Sequence, residues 1–261
     1  MTKWIEIQNW SQSPAVYVGG GTRYTDAAGA WVEVGDGVSA ADDASLGTYD
    51  IIGERAHIGE RAHIGERAHI STGAHIGERS RLGDGVHIGR SVHIGAGSRL
   101  GNYVHVADGV HIGAGSRLSN YVHIGAGVHI ADGARVSNYV HIGAGAHVGA
   151  GARVGERVRV GVHAIIADGA RVAAGAHIGK DASINAGSHV ADRARIGERV
   201  RIGEHVRVGE RAHIGYSAIV GAGARVGAGA RVGAGAHIAD GARVGERVRV
   251  GVYAEVAAGA D

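Results

Sequence analysis

The sequence predicts an all-β solenoid in which a short strand and a turn alternate every six residues. Ile, Val or Leu stands at every sixth position in thirty-five consecutive hexads from Ile52 to Val256, with no insertion or deletion. A second period of eighteen residues lies over the first, since Asn-Tyr-Val-His recurs at 102–105, 120–123 and 138–141. A sixfold period fits neither an α-helix nor a long strand, but it suits a chain that turns a corner every six residues and stacks on itself.

Each hexad is expected to form one strand and one turn. The residue two positions before the large aliphatic residue is Ala, Ser or Val throughout, with Asp50 as the single departure. Two inward residues separated by one outward residue define a short strand. Gly or Ala follows the aliphatic residue except at Ser71, Ser119, Ser137 and Asn185, which indicates a corner where backbone freedom is needed. Three hexads then complete one coil of eighteen residues.

The domain organisation follows from where the hexads begin and end. Residues 1–31 do not follow the period, and we interpret them as an N-terminal cap that covers the apolar cross-section of the first coil. Residues 32–256 form a β-helix of about twelve coils, and residues 257–261 form a short C-terminal tail. We expect association at both ends, through an aromatic cap and an open last coil; the candidate residues are Trp4, Trp10, Trp31, Val250 and Val256.

Composition sets limits on the compartment and the partner. Lys plus Arg number 27 against 25 Asp plus Glu, so net charge alone predicts no nucleic-acid partner. No apolar signal region and no run of eighteen apolar residues occurs, so we expect a soluble protein without a membrane partner. The absence of cysteine excludes disulfides and thiolate chemistry but leaves the compartment open between the cytoplasm and a virion or extracellular assembly.

The repeat resembles that of the hexapeptide-repeat superfamily over residues 32–256. The family signature is an aliphatic residue, a small residue, two variable residues, and then a small or β-branched residue. The resemblance implies a left-handed parallel β-helix, built as a triangular prism with three flat faces, and trimers are common in the family. The left hand rests on the resemblance alone, because parallel crossover connections are otherwise right-handed.

The residue before each large aliphatic residue points outward, and the eighteen-residue period sorts these residues into three ladders. One, here called the Arg ladder, is either a solvated face or a strip that binds phosphate, sulfate or an acidic partner. Its candidate anion-binding residues are Arg81, Arg99, Arg117, Arg135, Arg153, Arg171, Arg207, Arg225 and Arg243.

The other two ladders are rich in histidine. Stacked imidazoles can share an adventitious divalent transition metal, or they can stack as neutral rings on a wet β-face, and their protonation near pH 6 would make association depend on pH. No other cofactor is expected. The candidate ligands are His69, His87, His105, His123 and His141 on the first His ladder, and His57, His75, His93, His111, His129 and His147 on the second.

The superfamily that this repeat resembles contains enzymes, and these require features outside the regular repeat. Acyltransferases of the family place a catalytic histidine in or beside an inserted loop at a trimer interface, with a coenzyme A channel, and commonly append a C-terminal helix. γ-Class carbonic anhydrases bind zinc through three histidines, two of them five residues apart. This sequence has no inserted loop, no such helix and no histidine pair at that spacing.

The sequence therefore favours a structural, self-associating β-helical rod as a fibre, filament or scaffold component. It would act through its ends and flat faces, as a trimer or an end-to-end filament. Two alternatives stay open. The first is a hexapeptide-repeat enzyme that resembles the trimeric acyltransferases or the γ-carbonic anhydrases. The second is a repeat surface that binds anions or metal ions.

Overall fold

A computed structural model describes residues 16–18, 21–25, 31–41 and 43–259. The chain divides after Gly127 into two compact units. The described residues form strands and turns without any helix. Among them there is accordingly no helix of the length and hydrophobicity that crossing a bilayer requires. The prediction of an all-β chain is confirmed.

In the first unit the strands fall on three faces, and almost all of them are two residues long. Face A contains Val16–Val18, Gly21–Thr25, Trp31–Gly35, Asp50–Ile52, His69–Ile70, His87–Ile88, His105–Val106 and His123–Ile124. Face B contains Ser39–Ala40, His57–Ile58, His75–Ile76, His93–Ile94 and His111–Ile112. Face C contains His63–Ile64, Arg81–Leu82, Arg99–Leu100 and Arg117–Leu118.

The second unit has the same three faces in the same order along the chain. Face A contains His141–Ile142, Arg159–Val160, His177–Ile178, Arg195–Ile196, His213–Ile214, Arg231–Val232 and Arg249–Val250. Face B contains His129–Ile130, His147–Val148, Ile165–Ile166, Ser183–Ile184, Arg201–Ile202, Ile219–Val220, His237–Ile238 and Glu255–Val256. Face C contains Arg135–Val136, Arg153–Val154, Arg171–Val172, His189–Val190, Arg207–Val208, Arg225–Val226 and Arg243–Val244.

From Trp31–Gly35 onward, neighbouring strands of a face are parallel, in register and eighteen residues apart. His87 pairs with His105 on face A, and Arg153 pairs with Arg171 on face C. Each residue therefore lies beside its equivalent in the next coil, at about 4.8 Å in the hydrogen-bonding direction. Because of this register, residues that recur every eighteen positions in the sequence form a column of like side chains on each face.

The core of each unit consists of the two inward positions of the hexads, which are buried from Ile52 to Val244. Ile58, Ile94 and Ile130 are fully buried, and so are the small residues that precede the aliphatic ones, such as Ala152. Burial of each Ile, Val or Leu stabilises the fold by about 1.5–3 kcal/mol relative to an exposed side chain. Small partners keep the coil narrow, and the prediction that each hexad places two residues inward is confirmed up to Val244.

The corners differ from the prediction in where the backbone is unusual. The residue directly after the aliphatic residue was expected to need conformational freedom, but positive φ occurs two residues later, at Arg55 (φ 55°) and Tyr103 (φ 57°) for example. The glycine after the aliphatic residue is needed for close approach instead. A Cβ on Gly53 would lie 2.6 Å from the backbone nitrogen of Thr72 in the next coil.

The strands that precede the regular coils form an antiparallel meander. Val16–Val18 pairs with Gly21–Thr25, which pairs with Trp31–Gly35, and that strand begins the parallel stack by pairing with Asp50–Ile52. Trp31 packs edge to face on Tyr49 at 5.7 Å between ring centroids. Trp4 and Trp10 lie outside the described residues, and Val250 and Val256 are half-buried. The association role assigned to all of these residues stays a prediction.

Candidate functional site

The first His ladder lies along face A of the first unit. His69, His87 and His105 occupy the outward position of three successive strands, with ring centroids 6.0 Å apart in each adjacent pair. The Nδ1 atom of His87 is 3.2 Å from the backbone oxygen of Gly85. Since a carbonyl oxygen only accepts hydrogen bonds, Nδ1 of His87 donates, and in the neutral ring the lone pair is left on Nε2. His87 is thereby held in a tautomer suited to accept a proton.

A groove of about 360 Å³ runs beside these three rings. Ser71 and Asp108 line it together with the histidines and the backbone of the following corner. The Oδ1 atom of Asp108 accepts a hydrogen bond of 2.7 Å from the backbone amide of Arg90, which fixes this carboxylate at the wall of the groove. The groove thus brings together imidazole, hydroxyl and carboxylate groups on a rigid β-face.

The charge state of the rings near this groove depends on their surroundings. Partial burial, followed by the charge of His87, lowers the pKa of His69 below its ordinary value of 6.5. On face B, burial and then the neighbouring His57 and His93 lower the pKa of His75 in the same way. Both rings are therefore neutral at pH 7, which is the form that acts as a base.

The second His ladder, on face B of the first unit, is a tighter stack. Ring centroids lie 4.5 Å apart between His57 and His75, and 4.8 Å apart both between His75 and His93 and between His93 and His111. At its head, the Oγ atom of Ser39 is 2.6 Å from Nδ1 of His57. Parallel rings place their nitrogens in a row, whereas a tetrahedral metal site needs converging ligands.

No group of three His, Cys, Asp or Glu side chains converges as a metal site in the part of the chain that the structure describes. A metal ion on the His ladders stays a prediction. The positions of His123, His129, His141 and His147 in these columns agree with the sequence. His123 continues face A of the first unit, and His141 begins face A of the second. His129 and His147 lie on the first two strands of face B of the second unit.

The Arg ladder lies on face C, with its side chains exposed. In the second unit, Arg135, Arg153, Arg171 and His189 line a groove of about 270 Å³ whose floor includes Ser137, Gly155 and Ala173. In the first unit the ladder consists of His63, Arg81, Arg99 and Arg117. Arg207, Arg225 and Arg243 continue it in the second unit. The ladder geometry is as predicted, and anion binding stays a prediction.

A notch of about 300 Å³ opens at the corner between faces C and A of the second unit. It forms where Ala174 and Gly175 replace the long side chains found in other coils. Glu156 lies 3.5 Å from Arg157 as an ion pair, and Asp192 accepts a hydrogen bond of 3.0 Å from the backbone amide of Ala174. Arg193, Glu210 and Arg211 complete the lining.

Sequence reasoning missed three features of the molecule: the hydrogen bond between Ser39 and His57, the corner notch, and the state of Asp50. Asp50 is fully buried, and burial raises the pKa of its carboxyl to about 7. Its Oδ2 atom has no hydrogen-bond partner among the described residues. The signal was present, because Asp50 is the only residue at its position in the hexads that is not Ala, Ser or Val.

Comparison with protein families gives two matches. The family described as bacterial transferase hexapeptide (six repeats) matches residues 55–90, 91–126 and 175–210. The hexapeptide repeat of succinyl-transferase matches residues 199–240. No curated protein matches the chain in sequence.

Several solved structures are similar in fold. LpxA from Acinetobacter baumannii has a TM-score of 0.55 at 20% identity, over 56% of this chain and 64% of that one. UDP-N-acetylglucosamine O-acyltransferase (LpxA) from Moraxella catarrhalis has a TM-score of 0.39 at 15% identity, over 80% of this chain and 69% of that one. The acetyltransferase domain of PglB from Neisseria gonorrhoeae has a TM-score of 0.33 at 22% identity, over 47% and 53%. The chain thus spans less than two thirds of the length of the first and third of these proteins.

The likeness to the Acinetobacter protein shows the fold, which is a left-handed parallel β-helix with eighteen residues to a coil. The prediction of a structural filament is wrong, because both matching family models describe the repeats of transferases. The prediction relied on the absence of inserted loops. A strand can itself present a histidine, however, as it does at His87, so an uninterrupted repeat does not exclude catalysis.

Proposed function

The chain belongs to the hexapeptide-repeat superfamily, and from this premise we propose that it is an acyltransferase with His87 as its general base. The observation that carries the proposal is the hydrogen bond of 3.2 Å from Nδ1 of His87 to the Gly85 carbonyl, which leaves Nε2 as an acceptor. The transferase descriptions of the two matching families give the reaction class.

The chemistry needs one base and one carbonyl. Nε2 of His87 accepts the proton of a hydroxyl or amine as that group attacks the carbonyl carbon of an acyl thioester. The tetrahedral intermediate then expels the thiolate, which takes the proton from the imidazolium, so that the ring ends in its starting state. General-base catalysis of this kind contributes about 10²–10⁴-fold in rate.

The groove beside His87 supplies places for the acceptor. Ser71 offers a hydroxyl, and Asp108 offers a carboxylate that the Arg90 amide holds in position. Either group can orient an acceptor that carries several hydroxyl or amino groups, and the neighbouring ring of His69 is neutral because burial lowers its pKa. An acceptor bound here would be positioned by groups on three successive coils of one rigid face.

The groove is open to solvent along face A, and acyl transfer competes with hydrolysis unless water is excluded. A second copy of the chain laid against this face would exclude water. We therefore expect the active form to be a homo-oligomer, and a trimer is the assembly common in the superfamily.

The test is thiol release from a panel of acyl thioesters in the presence of amino and hydroxy sugars. Because the chain has no cysteine, a thiol reagent detects only the product. H87Q is expected to lower kcat by about 100-fold or more, whereas H177Q, on face A of the second unit, keeps the activity. Equal activity of H87Q and the unaltered protein, or no thiol release with any donor and acceptor, contradicts the proposal.

A further inference from the structure

The charges of the second unit are distributed unevenly around its faces. Face C, face A and the corner between them carry fourteen arginines against four acidic residues. The arginines are Arg135, Arg153, Arg171, Arg207, Arg225 and Arg243 on face C, Arg159, Arg195, Arg231 and Arg249 on face A, and Arg157, Arg193, Arg211 and Arg247 on the corner. The acidic residues are Glu156, Asp192, Glu210 and Glu246, all on the corner. The near-neutral charge of the whole chain conceals this basic edge.

Face C itself carries no acidic side chain at its outward positions in this unit. Arg135, Arg153 and Arg171 pair in register, so their guanidinium groups form a column at about 4.8 Å intervals. Like charges at this spacing repel one another. Glu156 is engaged by Arg157 at 3.5 Å, and Asp192 accepts from the Ala174 amide, so neither of these carboxylates is directed at the column.

The shape of the surface beside the column selects a linear ligand. The groove of about 270 Å³ follows Arg135, Arg153, Arg171 and His189 through four successive coils. Its floor is low because small residues, including Gly155 and Ala173, stand at the corner. Anionic groups spaced along a chain can reach successive guanidinium groups there, each through a two-pronged hydrogen bond.

The lining argues against a nucleic acid. Single strands bind through aromatic side chains on which bases stack, and this groove contains no Phe, Tyr or Trp. A broad β-face of parallel strands also does not enter a duplex groove, which admits a helix or a two-stranded ribbon. The groove can therefore recognise a ligand through its anionic groups, without contacts to nucleic-acid bases.

The same ladder in the first unit has different neighbours. Arg81, Arg99 and Arg117 run beside a corner that holds Glu66, Asp84, Asn102 and Asn120, and the adjoining face A carries histidines. The concentration of arginine is therefore a property of the second unit. Face C of the first unit, which also carries three successive arginines, provides a control of equal charge.

We propose that face C of the second unit binds a linear anionic polysaccharide, with its sulfate or carboxylate groups along Arg135, Arg153 and Arg171. This surface is separate from the His87 groove, which belongs to the first unit. Binding here does not depend on acyl transfer, and either proposal can fail without the other.

Fluorescence anisotropy with fluorescein-labelled heparin tests the proposal on the full chain. The affinity is expected to fall steeply between about 50 and 200 mM NaCl, because each arginine that binds an anionic group releases a counterion from the polysaccharide. R135Q/R153Q/R171Q is expected to weaken binding by about tenfold or more. The slope of log affinity against log salt concentration is expected to decrease by the equivalent of about three ionic contacts. The matched variant R81Q/R99Q/R117Q removes the same charge and is expected to change the affinity by less than about threefold.

Three outcomes overturn the proposal. The first is the absence of heparin binding at the lowest salt concentration. The second is an equal loss of affinity in the two triple variants, which would mean that overall charge alone is responsible. The third is tighter binding of poly(U) RNA, or of vesicles containing anionic phosphatidylglycerol, than of heparin. All substituted residues are exposed, so far-ultraviolet circular dichroism of both variants is expected to match that of the unaltered protein.

Discussion

The Oδ1 atom of Asp50 accepts a hydrogen bond of 2.9 Å from the backbone amide of Ala68, its counterpart in the next coil. Asp50 occupies the inward position that is otherwise small or aliphatic, and it is fully buried. A buried carboxyl is costly to ionise, and burial accordingly raises its pKa from 3.8 to about 7. The hydrogen bonds from the Ala68 and Gly47 amides oppose this shift without cancelling it.

Asp50 is therefore expected to make stability depend on pH. Its folded-state pKa lies above its unfolded value, so the folded chain holds more protons between pH 4 and about 7, and stability falls as pH rises through that window. D50N keeps an acceptor for the Ala68 amide and cannot ionise. We expect its melting temperature to change less between pH 4 and 8, and its free energy of unfolding at pH 8 to exceed that of the unaltered protein by about 1–4 kcal/mol.

Thermal unfolding across that pH range checks this prediction, with S80A as a control. Ser80 occupies the same inward position of the hexad five hexads further along, is fully buried and carries no charge. Parallel pH profiles for D50N and the unaltered protein would contradict the prediction. If S80A also changed the shape of the pH profile, the change in D50N could not be attributed to the ionisation of Asp50.

The close approach of coils predicts how the corners respond to substitution. A Cβ on Gly95 would lie 2.5 Å from the backbone nitrogen of Ala114, whereas a Cβ on Gly97 would meet nothing within 4 Å. We expect G95V to destabilise the protein by about 1–3 kcal/mol, because its branched side chain forces two coils apart.

G97N is the matched control for G95V. Gly97 has φ 67°, a conformation that asparagine tolerates, so its cost is expected to stay below about 1 kcal/mol. Urea unfolding of the two variants measures the difference. Equal destabilisation would mean that backbone conformation, and not contact between coils, restricts these corners.

The fold could be predicted from local sequence because contacts in this solenoid repeat at a fixed separation. Ile58 and Ile76, eighteen residues apart, are neighbours in space, and the period in the sequence reports that contact directly. The pKa of Asp50 could not be read in the same way, since it depends on how completely neighbouring coils enclose the carboxyl. The notch at Ala174 and Gly175 likewise exists only because longer side chains stand in the coils on either side.

The proposed function was harder to predict, because the contact of His87 on which it rests is not periodic. Equivalent histidines recur along the ladder, but the hydrogen bond with Gly85 depends on the corner that precedes this strand. Sequence reasoning looked for an inserted loop to carry a catalytic histidine. The structure instead places candidate histidines on the strands themselves.

The proposed oligomer predicts a mass for the protein in solution. Light scattering across a range of concentrations is expected to give three times the chain mass of 26.5 kDa. H87Q is expected to leave this mass unchanged, because the side chain is substituted by another polar one at the same exposed position. A mass of 26.5 kDa at every concentration would contradict the proposed oligomer, and the groove at His87 would then stay open to water.

The tight stack on face B predicts that substitution of its neighbours changes the pKa of His75. His57 and His93 flank His75 at 4.5 Å and 4.8 Å between ring centroids, and burial together with their charges lowers the pKa of His75 below 6.5. H57Q/H93Q removes both neighbouring charges, so the pKa of His75 is expected to rise toward 6.5, with the remainder of the shift due to burial. Imidazole resonances followed by nuclear magnetic resonance from pH 4 to 8 measure the change, and H237Q on face B of the second unit provides the control.

Because the folded state disfavours the protonated ring of His75, stability is expected to fall as pH drops below about 6.5 in the unaltered protein, and less so in the double variant. An unchanged pKa of His75 in H57Q/H93Q would mean that burial alone is responsible for its shift.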